Sequence, residues 1–371
     1  MEAQSLPSIV LVGEDATPSN ALKLLIPFFH TRDFTVHSFF GYGKRIGESE
    51  LQITERTRNA DAILVGSSFP PDRAVKEVSA LRVAQAIGIP NGIYFDRYGA
   101  INRPIDENIR LRVNYIFTDK GEDVVRAGEL FPSAQCIRSG NPEEEEHSVK
   151  KYSREEVRAK LGVLDDSFLI LVGLHKVCAA SLYTAVCLDE ALSRLGDQRP
   201  ESICIRYFPH PTDAILSAGI RYSVELEQYA TSGCHARLVP TQEMTTREAI
   251  EGADCSIGIT GFNTKLAAYH AVPAIEFIPS HMRRRLVSMD GTDQFEPCVR
   301  GAAIPIYGGG PDELADALRV VFDPENRAQL VSQQRKAYPP VHRTGEAIEI
   351  IGNTIAFQVD EYSRKRQEER I

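Results

Sequence analysis

Polar residues that could bind an anion follow an apolar run at positions 254–259. Thr260, Gly261, Asn263 and Thr264 come directly after this predicted strand, at the start of a helix-like segment. Glycine lets a ligand approach the backbone closely, and the hydroxyl and N–H groups at a helix start bind negative charge. A simpler alternative is that Thr and Asn cap the helix while Gly makes the turn. The candidate ligand-binding residues of this loop are Thr260, Gly261, Phe262, Asn263, Thr264 and Lys265.

Two further strand ends in the second half carry imidazole and ammonium groups. Gly173, His175 and Lys176 follow the apolar run 167–173 and could meet a diphosphate. His210 lies between two prolines in "RYFPHPTD", and the fixed φ angles of proline restrict the direction of its ring. A solvated loop and a surface histidine are the alternatives at these two places. We treat Gly173, His175 and Lys176 as candidate ligand-binding residues and His210 as a candidate catalytic residue.

The first half of the chain offers carboxylates at strand ends that could act as a general base toward a hydroxyl group. Asp96 in "IYFDRYG" is the preferred candidate, because it lies directly at the end of a central predicted strand. Asp15 in "GEDATPSN" is a second candidate, and an N-cap role accounts for it equally well. The other polar strand ends in this half are Glu14, Ser67, Ser68 and Asp119.

The elements that must position these residues are short apolar strands that alternate with amphipathic helices. Continuous Val- and Ile-rich strands with intervening helices indicate a parallel sheet covered on both faces. A polar, turn-rich stretch at 140–153 interrupts the pattern, which then restarts. The sequence therefore predicts an α/β protein of two doubly wound Rossmann-like domains facing a central ligand cleft. The predicted parts are domain 1–141, linker 142–153, domain 154–344 and a terminal helix 345–371.

Composition excludes several classes of protein. The net charge of -9 and the run Glu143–Glu146 argue against binding nucleic acid. Seven scattered cysteines without a Cys-x-x-Cys pair predict neither a zinc site nor a disulfide framework. No signal peptide and no transmembrane segment is recognisable, so we expect a soluble, cytoplasmic protein. "LVGEDATPSNA" lacks two of the glycines of a dinucleotide fingerprint, which disfavours NAD and FAD.

With these residues in hand, the chain resembles the GT-B superfamily of nucleotide-sugar glycosyltransferases and the related UDP-N-acetylglucosamine 2-epimerases. "SGNP" at 139–142 is similar to the end of the first domain in many members. "RYFPHPTD" resembles their His-Pro element, and "GITGFNTKLAAYHAVPAIEFIP" resembles the segment that holds the donor nucleotide. The resemblance implies that the terminal helix crosses back to the first domain. It also implies that Gly173–Lys176, Gly261, Asn263 and Thr264 contact the donor diphosphate, while His210 helps to bind or activate the donor.

The sequence departs from that family at two positions. Members commonly place a Glu on the donor helix to grip the ribose diol, but this helix reads Lys265-Leu266-Ala267-Ala268. The family's glycine before the Pro-containing strand is replaced within Ala271-Val272. Losing the carboxylate would cost roughly 1.5–3 kcal/mol of binding free energy. Glu276 is the candidate substitute; otherwise the donor is unusual or the domain has lost it.

Three functions follow from the residues and the resemblance. The first is a glycosyltransferase that moves a sugar from a nucleotide-diphosphate donor to a hydroxyl acceptor. Such an enzyme needs no metal, because helix N-termini and cations stabilise the leaving diphosphate, and no tightly bound cofactor is expected. The alternatives are a nucleotide-sugar epimerase or hydrolase, and a non-catalytic partner or regulatory protein with this fold. A homo-oligomer and a partner enzyme both remain open.

Overall fold

The structure of this chain is a computed structural model that divides into two compact units. Unit 1 comprises Met1–Glu146 and His342–Ile371, and unit 2 comprises His147–Val341. The residues that the structure describes are 6–41, 50–68, 74–96, 99–103, 105–175, 178–209, 234–240, 242–259, 262–284, 295–339 and 344–368.

Unit 1 is built on a parallel sheet whose strand order is β2-β1-β3-β4-β5-β6. The chain order reverses between β1 and β3, which pair in register with Val12 beside Val65. Parallel pairing buries both faces, and every residue of β3 is buried. The strands are β1 (Ser8–Gly13), β2 (Thr35–Phe40), β3 (Ala62–Val65), β4 (Asn91–Phe95), β5 (Tyr115–Thr118) and β6 (Gln135–Arg138).

The helices of unit 1 follow its strands, with one difference from the predicted pattern. The sequence "PSNALKLLIPFFH" predicts a single helix from about Pro18, but the structure has two short helices that are separated at Leu24 and Leu25. Pro27 lacks an N–H group and its ring would clash within a continuous helix, so the chain starts a new helix there. These helices are α1 (Ala16–Lys23), α2 (Ile26–His30), α3 (Glu50–Arg58), α4 (Val75–Ile87), α5 (Glu107–Arg110), α6 (Gly121–Leu130) and α7 (Pro142–Ser148).

Unit 2 is built on a second parallel sheet, with strand order β12-β11-β10-β7-β8-β9. Its first strand lies in the middle, its next two strands lie on one side, and its last three lie on the other. This is the Rossmann arrangement, and the order reverses between β7 and β10. The strands are β7 (Phe168–Gly173), β8 (Ile203–Phe208), β9 (Cys234–Leu238), β10 (Cys255–Gly258), β11 (Ala274–Ile278) and β12 (Ile304–Tyr307).

Helices again connect the strands of unit 2, and the last helix of the chain returns to unit 1. Ser153 begins α8 with a capping box, in which its hydroxyl accepts from the Glu156 N–H. The remaining helices are α8 (Arg154–Lys160), α9 (Cys178–Leu195), α10 (Thr246–Ala249), α11 (Phe262–Tyr269), α12 (Glu296–Val299), α13 (Pro311–Phe322), α14 (Pro324–Ala337) and α15 (Glu346–Glu368).

Helix α15 packs on the sheet of unit 1. Ile351, Ile355 and Val359 are buried in the same cluster as residues of β1. The carboxylate of Glu145 accepts hydrogen bonds from the backbone N–H groups of Gly345 (2.9 Å) and Ala347 (2.8 Å). The predicted return of the terminal helix and the predicted doubly wound α/β architecture are therefore confirmed.

A helix occupies part of the segment that was predicted as a polar linker. Helix α7 starts at Pro142, and the Asn141 side chain accepts from the backbone N–H groups of Glu143 (2.9 Å) and Glu144 (3.3 Å). Proline suits the first position of a helix, and the acidic side chains in the first turn complement the positive end of the helix dipole. The glutamate run that looked like a solvated linker therefore stabilises a helix start.

Ala271 occupies a backbone conformation that favours glycine. It follows α11, and its φ angle is 56°. A non-glycine residue pays roughly 1–2 kcal/mol in this left-handed region. This is one of the two positions at which the sequence replaces the glycine of the resembled family.

We expect Ala271→Gly to raise the free energy of unfolding by up to about 1 kcal/mol, because the relief of strain outweighs the added chain entropy. Urea denaturation would measure the change. The matched control is Ala328→Gly, an exposed position within α14, where the same replacement should lower stability by about 1 kcal/mol. Equal losses at both positions would contradict the assigned strain.

Candidate functional site

The reversal point of the sheet in unit 2 brings two glycines side by side. Gly258, the last residue of β10, pairs in register with Gly173, the last residue of β7. On its other side Gly258 pairs with Glu276 of β11. Ligands of doubly wound sheets bind at this point, beyond the carboxyl ends of the strands. Three residues from separate parts of the sequence therefore define one candidate site.

The two glycines let the first turn of α11 lie directly on the sheet. A Cβ atom added to Gly173 would overlap the side-chain amide of Asn263, with Cγ at 3.0 Å. A Cβ atom added to Gly258 would overlap the hydroxyl of Thr264. A side chain at either position would therefore displace Asn263 or Thr264 from its place on the strand ends, so glycine permits this close approach. The predicted residues Gly173, Asn263 and Thr264 thus come together.

Glu276 lies underneath this helix turn instead of on the surface. Its side chain is 0% exposed, as is that of Thr264, whose hydroxyl donates a hydrogen bond to the Glu276 carboxylate. A carboxylate in this position satisfies a buried hydroxyl. The structure therefore gives Glu276 a role in positioning α11, and a ribose diol outside the protein does not reach it in this conformation.

Lys265 is also committed to a partner within unit 2. Its ammonium Nζ lies 2.8 Å from Oε2 of Glu296, and Arg300 Nε lies 2.9 Å from Oε1 of the same carboxylate. The side chains of Lys265 and Glu296 are 8% and 5% exposed. Breaking such a buried pair costs several kcal/mol, so the ammonium is held against the Glu296 carboxylate.

The segment after β7 is held by a buried hydroxyl. The backbone N–H of His175 donates to Oγ of Ser181, which donates in turn to the His175 carbonyl, both at 3.0 Å. Ser181 belongs to α9 and is 1% exposed. The half-buried His175 is therefore fixed at the carboxyl edge of the sheet. Four predicted residues, Lys176, His210, Thr260 and Gly261, and the side chain of Phe262 lie outside the described part of the chain.

In unit 1, Asp96 follows β4 and is 3% exposed. Its Oδ1 accepts from the Ser67 hydroxyl (3.2 Å) and pairs with Nη1 of Arg103 (3.4 Å). Among the described residues, Oδ2 of Asp96 has no hydrogen-bond partner. The contacts of Oδ1 thus hold the side chain of the predicted base Asp96 in position.

The other predicted base, Asp15, lies at the N-cap position of α1 but makes no side-chain capping bond. Its backbone N–H donates to Oγ of Ser68 at 2.8 Å. The same hydroxyl lies 2.6 Å from Oε1 of Glu77, and the Ser68 N–H donates to Oε2 at 2.9 Å. The Glu14 N–H also contacts Glu77 Oε1 (3.2 Å). Glu77 therefore ties the ends of β1 and β3 together at the reversal point of the first sheet.

Burial is the main reason that the carboxyl group of Glu77 holds its proton. Desolvation raises the pKa of Glu77 to about 8, with a smaller contribution from the nearby Glu14, although hydrogen bonds from Ser68 oppose the shift. Desolvation also raises the pKa of Glu14. Glu77 is consequently neutral at pH 7 in the folded protein.

Sequence reasoning missed Glu77 and Arg103. Glu77 shares the buried face of α4 with Ala80, Leu81 and Ala84. A carboxylate within an apolar stripe of helical period was a signal that could have found it. Arg103 lies in a loop after a short 3-10 turn at Ala100–Asn102, and nothing in its local sequence identifies its partner Asp96.

No group of three or more His, Cys, Asp or Glu side chains in the described part of the chain is arranged to hold a metal ion. No helix there combines the length and the apolar composition that a membrane crossing requires.

Comparison with known proteins identifies the fold class. No protein-family model and no curated protein matches the sequence. The structure nevertheless matches the UDP complex of MnaA from S. aureus with a TM-score of 0.61 at 12% identity, covering 93% of this chain and 95% of that one. It matches MurG from Acinetobacter baumannii with a TM-score of 0.60 at 12% identity, covering 94% and 99%.

A third match is the UDP-GlcNAc 2-epimerase from Neisseria meningitidis bound to UDP-GlcNAc, with a TM-score of 0.59 at 13% identity, over 94% of this chain and 99% of that one. Similarity at these identities shows the fold alone. The chain has the GT-B fold, so the fold expected from the resemblance is confirmed.

We expect Thr264→Val to lower the free energy of unfolding by about 1–3 kcal/mol, because the buried Glu276 carboxylate loses a donor. Thr264→Ser keeps the hydroxyl and should lose less. Urea denaturation of both variants without ligand is the measurement. A Val variant as stable as the parent would show that the hydroxyl does not support the fold.

We expect the stability of this protein to fall as pH rises from about 5 to about 8, because of Glu77. Its folded pKa of about 8 lies above the usual value of 4.5, so the unfolded chain releases this proton first. The contribution of Glu77 to the free energy of unfolding is full below pH 4.5. It declines by at most about 1.4 kcal/mol per pH unit until the carboxyl group ionises in the folded protein.

Glu77→Gln should remove this part of the slope of the unfolding free energy against pH. Urea denaturation at several pH values measures that slope. Glu129→Gln, at an exposed carboxyl in the same unit, controls for the loss of one charge. If Glu77→Gln keeps the parental slope, Glu77 is ionised in the folded protein.

Proposed function

We propose that this chain is a metal-independent glycosyltransferase that moves a sugar from a nucleotide-diphosphate donor to a hydroxyl acceptor. Unit 2 would bind the donor and unit 1 the acceptor. The observation that carries the proposal is the pairing of Gly173 with Gly258 beneath the first turn of α11. Such a close approach at the reversal point of a Rossmann sheet is the arrangement that accommodates a diphosphate.

The donor diphosphate would lie against the N-terminal turn of α11. The first N–H groups of a helix have no partner within the helix, and its dipole favours negative charge there. Asn263 is half-buried and lies over Gly173, so its amide can add a donor at the same point. As the glycosidic bond to the diphosphate breaks, these groups would stabilise the charge on the leaving oxygen.

The acceptor would be activated in unit 1. Asp96 would take the proton of the acceptor hydroxyl on Oδ2, since Oδ1 is held by Ser67 and Arg103. The acceptor oxygen then attacks the anomeric carbon, a new glycosidic bond forms, and the nucleoside diphosphate leaves with the electrons of the old bond. Asp15, which follows β1 and is separated from Asp96 by the end of β3, is the alternative base.

The names of the structural neighbours support a uridine nucleotide as the first donor to test. MnaA was solved with UDP and the Neisseria meningitidis epimerase with UDP-GlcNAc. A UDP-sugar is therefore the donor class that we propose for unit 2.

A non-catalytic protein with this fold is the second candidate, and the burial of Glu276 favours it. The expected clamp on the ribose is absent from α11, and Glu276 is engaged by Thr264 at 0% exposure. An epimerase or hydrolase would instead need carboxylates at the donor. Glu276 and Glu296, the acidic side chains described beside α11, are both buried and engaged.

A thermal-shift screen against UDP, GDP, CDP, dTDP, ADP and their sugars tests the proposal. A ligand at one hundred times its dissociation constant should stabilise the protein by about 2.7 kcal/mol. Asn263→Ala should weaken the shift, whereas Asn353→Ala, an exposed position on α15 in unit 1, should leave it unchanged. Asp96→Asn should lower turnover by about 10²–10⁴-fold without changing donor binding.

Each alternative has its own outcome in this screen. Turnover of a nucleotide sugar without an acceptor would indicate an epimerase or hydrolase. Failure of every nucleotide at millimolar concentration would refute the donor site and favour the non-catalytic protein.

A further inference from the structure

Unit 1 contains a cavity of about 250 Å³ between α4 and α5, which we call the α4–α5 slot. Its inner end lies at the carboxyl end of β3, where Ser67, Glu77 and Arg103 line it. Its outer end is marked by Arg82 and Asp106, which join the two helices through an ion pair at 3.3 Å. The walls of the slot between these ends are apolar, formed by Val65, Val78, Leu81, Ile93, Ile105 and Ile109.

Among the described residues that line the slot, together with their ion-pair partners, the charges cancel. Arg103 is paired with Asp96 at the inner end, and Arg82 is paired with Asp106 at the outer end. The remaining acidic group in this described lining is Glu77, which burial holds neutral at pH 7. An ionic ligand would lose its hydration without gaining a counter-charge, so this environment selects an uncharged ligand.

The volume of the slot sets the size of that ligand. Protein interiors are close-packed, and voids larger than a water molecule are few. An apolar cavity of about 150 Å³ is large enough to hold benzene. The slot therefore has room for a single ring with a small substituent, or for a short branched chain.

The inner end of the slot leads to the candidate base. Ser67 lines the slot, and its hydroxyl lies 3.2 Å from Oδ1 of Asp96. Arg103 also lines the slot and contacts both Ser67 (3.0 Å, to Oγ) and Asp96. A hydroxyl group carried by an apolar ligand would consequently meet buried hydrogen-bonding partners at this end, whereas Arg82 and Asp106 at the outer end are exposed to solvent.

We propose that the α4–α5 slot binds the apolar part of an uncharged hydroxyl compound, with the hydroxyl at the Ser67–Arg103 end beside Asp96. This makes the acceptor an alcohol with a compact apolar body, in place of a polyhydroxylated sugar or an anionic polymer. The role as acceptor rests on the proposed transferase function, whereas the binding of the compound does not.

Benzyl alcohol is the probe, with benzoate and benzylamine as charged analogues of similar size. In the methyl-labelled 371-residue protein, benzyl alcohol should shift the methyl resonances of Ile93, Ile105 and Ile109 at millimolar concentration. The two ions should bind at least tenfold more weakly. The proposal is refuted if these methyl groups do not respond, or if an ion binds as well as the alcohol.

Val78→Phe fills the slot and should weaken binding of the probe at least tenfold. Its matched control is Val75→Phe, the same replacement on the same helix at a residue that is 46% exposed and does not line the slot. The control should bind like the parent, and equal losses in both variants would overturn the assignment. If Val78→Phe does not fold, the methyl shifts in the parent protein decide the question alone.

The failure of this proposal is separable from failure of the transferase proposal. Nucleotide binding is read from the thermal shift, and slot binding is read from the isoleucine methyl groups without any turnover. If a nucleotide binds but the isoleucine methyl resonances do not shift, the slot proposal is refuted and the transferase proposal is unaffected. Methyl shifts without nucleotide binding support the slot as a ligand site and refute the transferase.

Discussion

The packing of two helix side chains against two glycines at the centre of the second sheet is the constraint on which the candidate site depends. Gly173 and Gly258 end adjacent strands in register, and a Cβ atom at either position would overlap the side chain of Asn263 or Thr264. Without side chains there, the first turn of α11 can lie on the strand ends with Asn263 and Thr264 against them. The direction of the helix and the position of its N–H groups follow from this contact.

The charged side chains around α11 bind buried partners within the protein, and this differs from the role that their sequence positions predict. The sequence makes Lys265 a candidate ligand-binding group on the donor helix and Glu276 the candidate substitute for the missing ribose-binding carboxylate. In the folded unit, Glu276 accepts from Thr264 and Lys265 pairs with Glu296, each with little or no exposure. These pairs satisfy groups that would otherwise be desolvated without a partner. They hold the helix that would meet a ligand.

Buried polar groups also hold the reversal point of the sheet in unit 1, but the central group there is an uncharged carboxylic acid. A neutral glutamic acid, Glu77, joins the ends of β1 and β3 through the Ser68 hydroxyl and backbone N–H groups. Because the carboxyl group is protonated at pH 7, the pairing needs no buried cation. The neighbouring Ser67 and Arg103 position Asp96, so the candidate base and the inner end of the α4–α5 slot share one network.

The sequence by itself determined the architecture, because strands buried on both faces, such as Phe168–Gly173, must be continuously apolar. It also located Gly173, Asn263 and Thr264 at strand or helix ends, and it marked the pair Ala271-Val272, within which the resembled family has glycine. Helix α7 escaped detection because its glutamates act through capping and the helix dipole, which leave no apolar period. Only the tertiary structure decided which polar groups pair. Glu276 pairs with Thr264, Lys265 with Glu296, and Arg103 with Asp96. The order of the strands and the packing of the helices bring these partners together, and the local sequence carries no information about the distance between them.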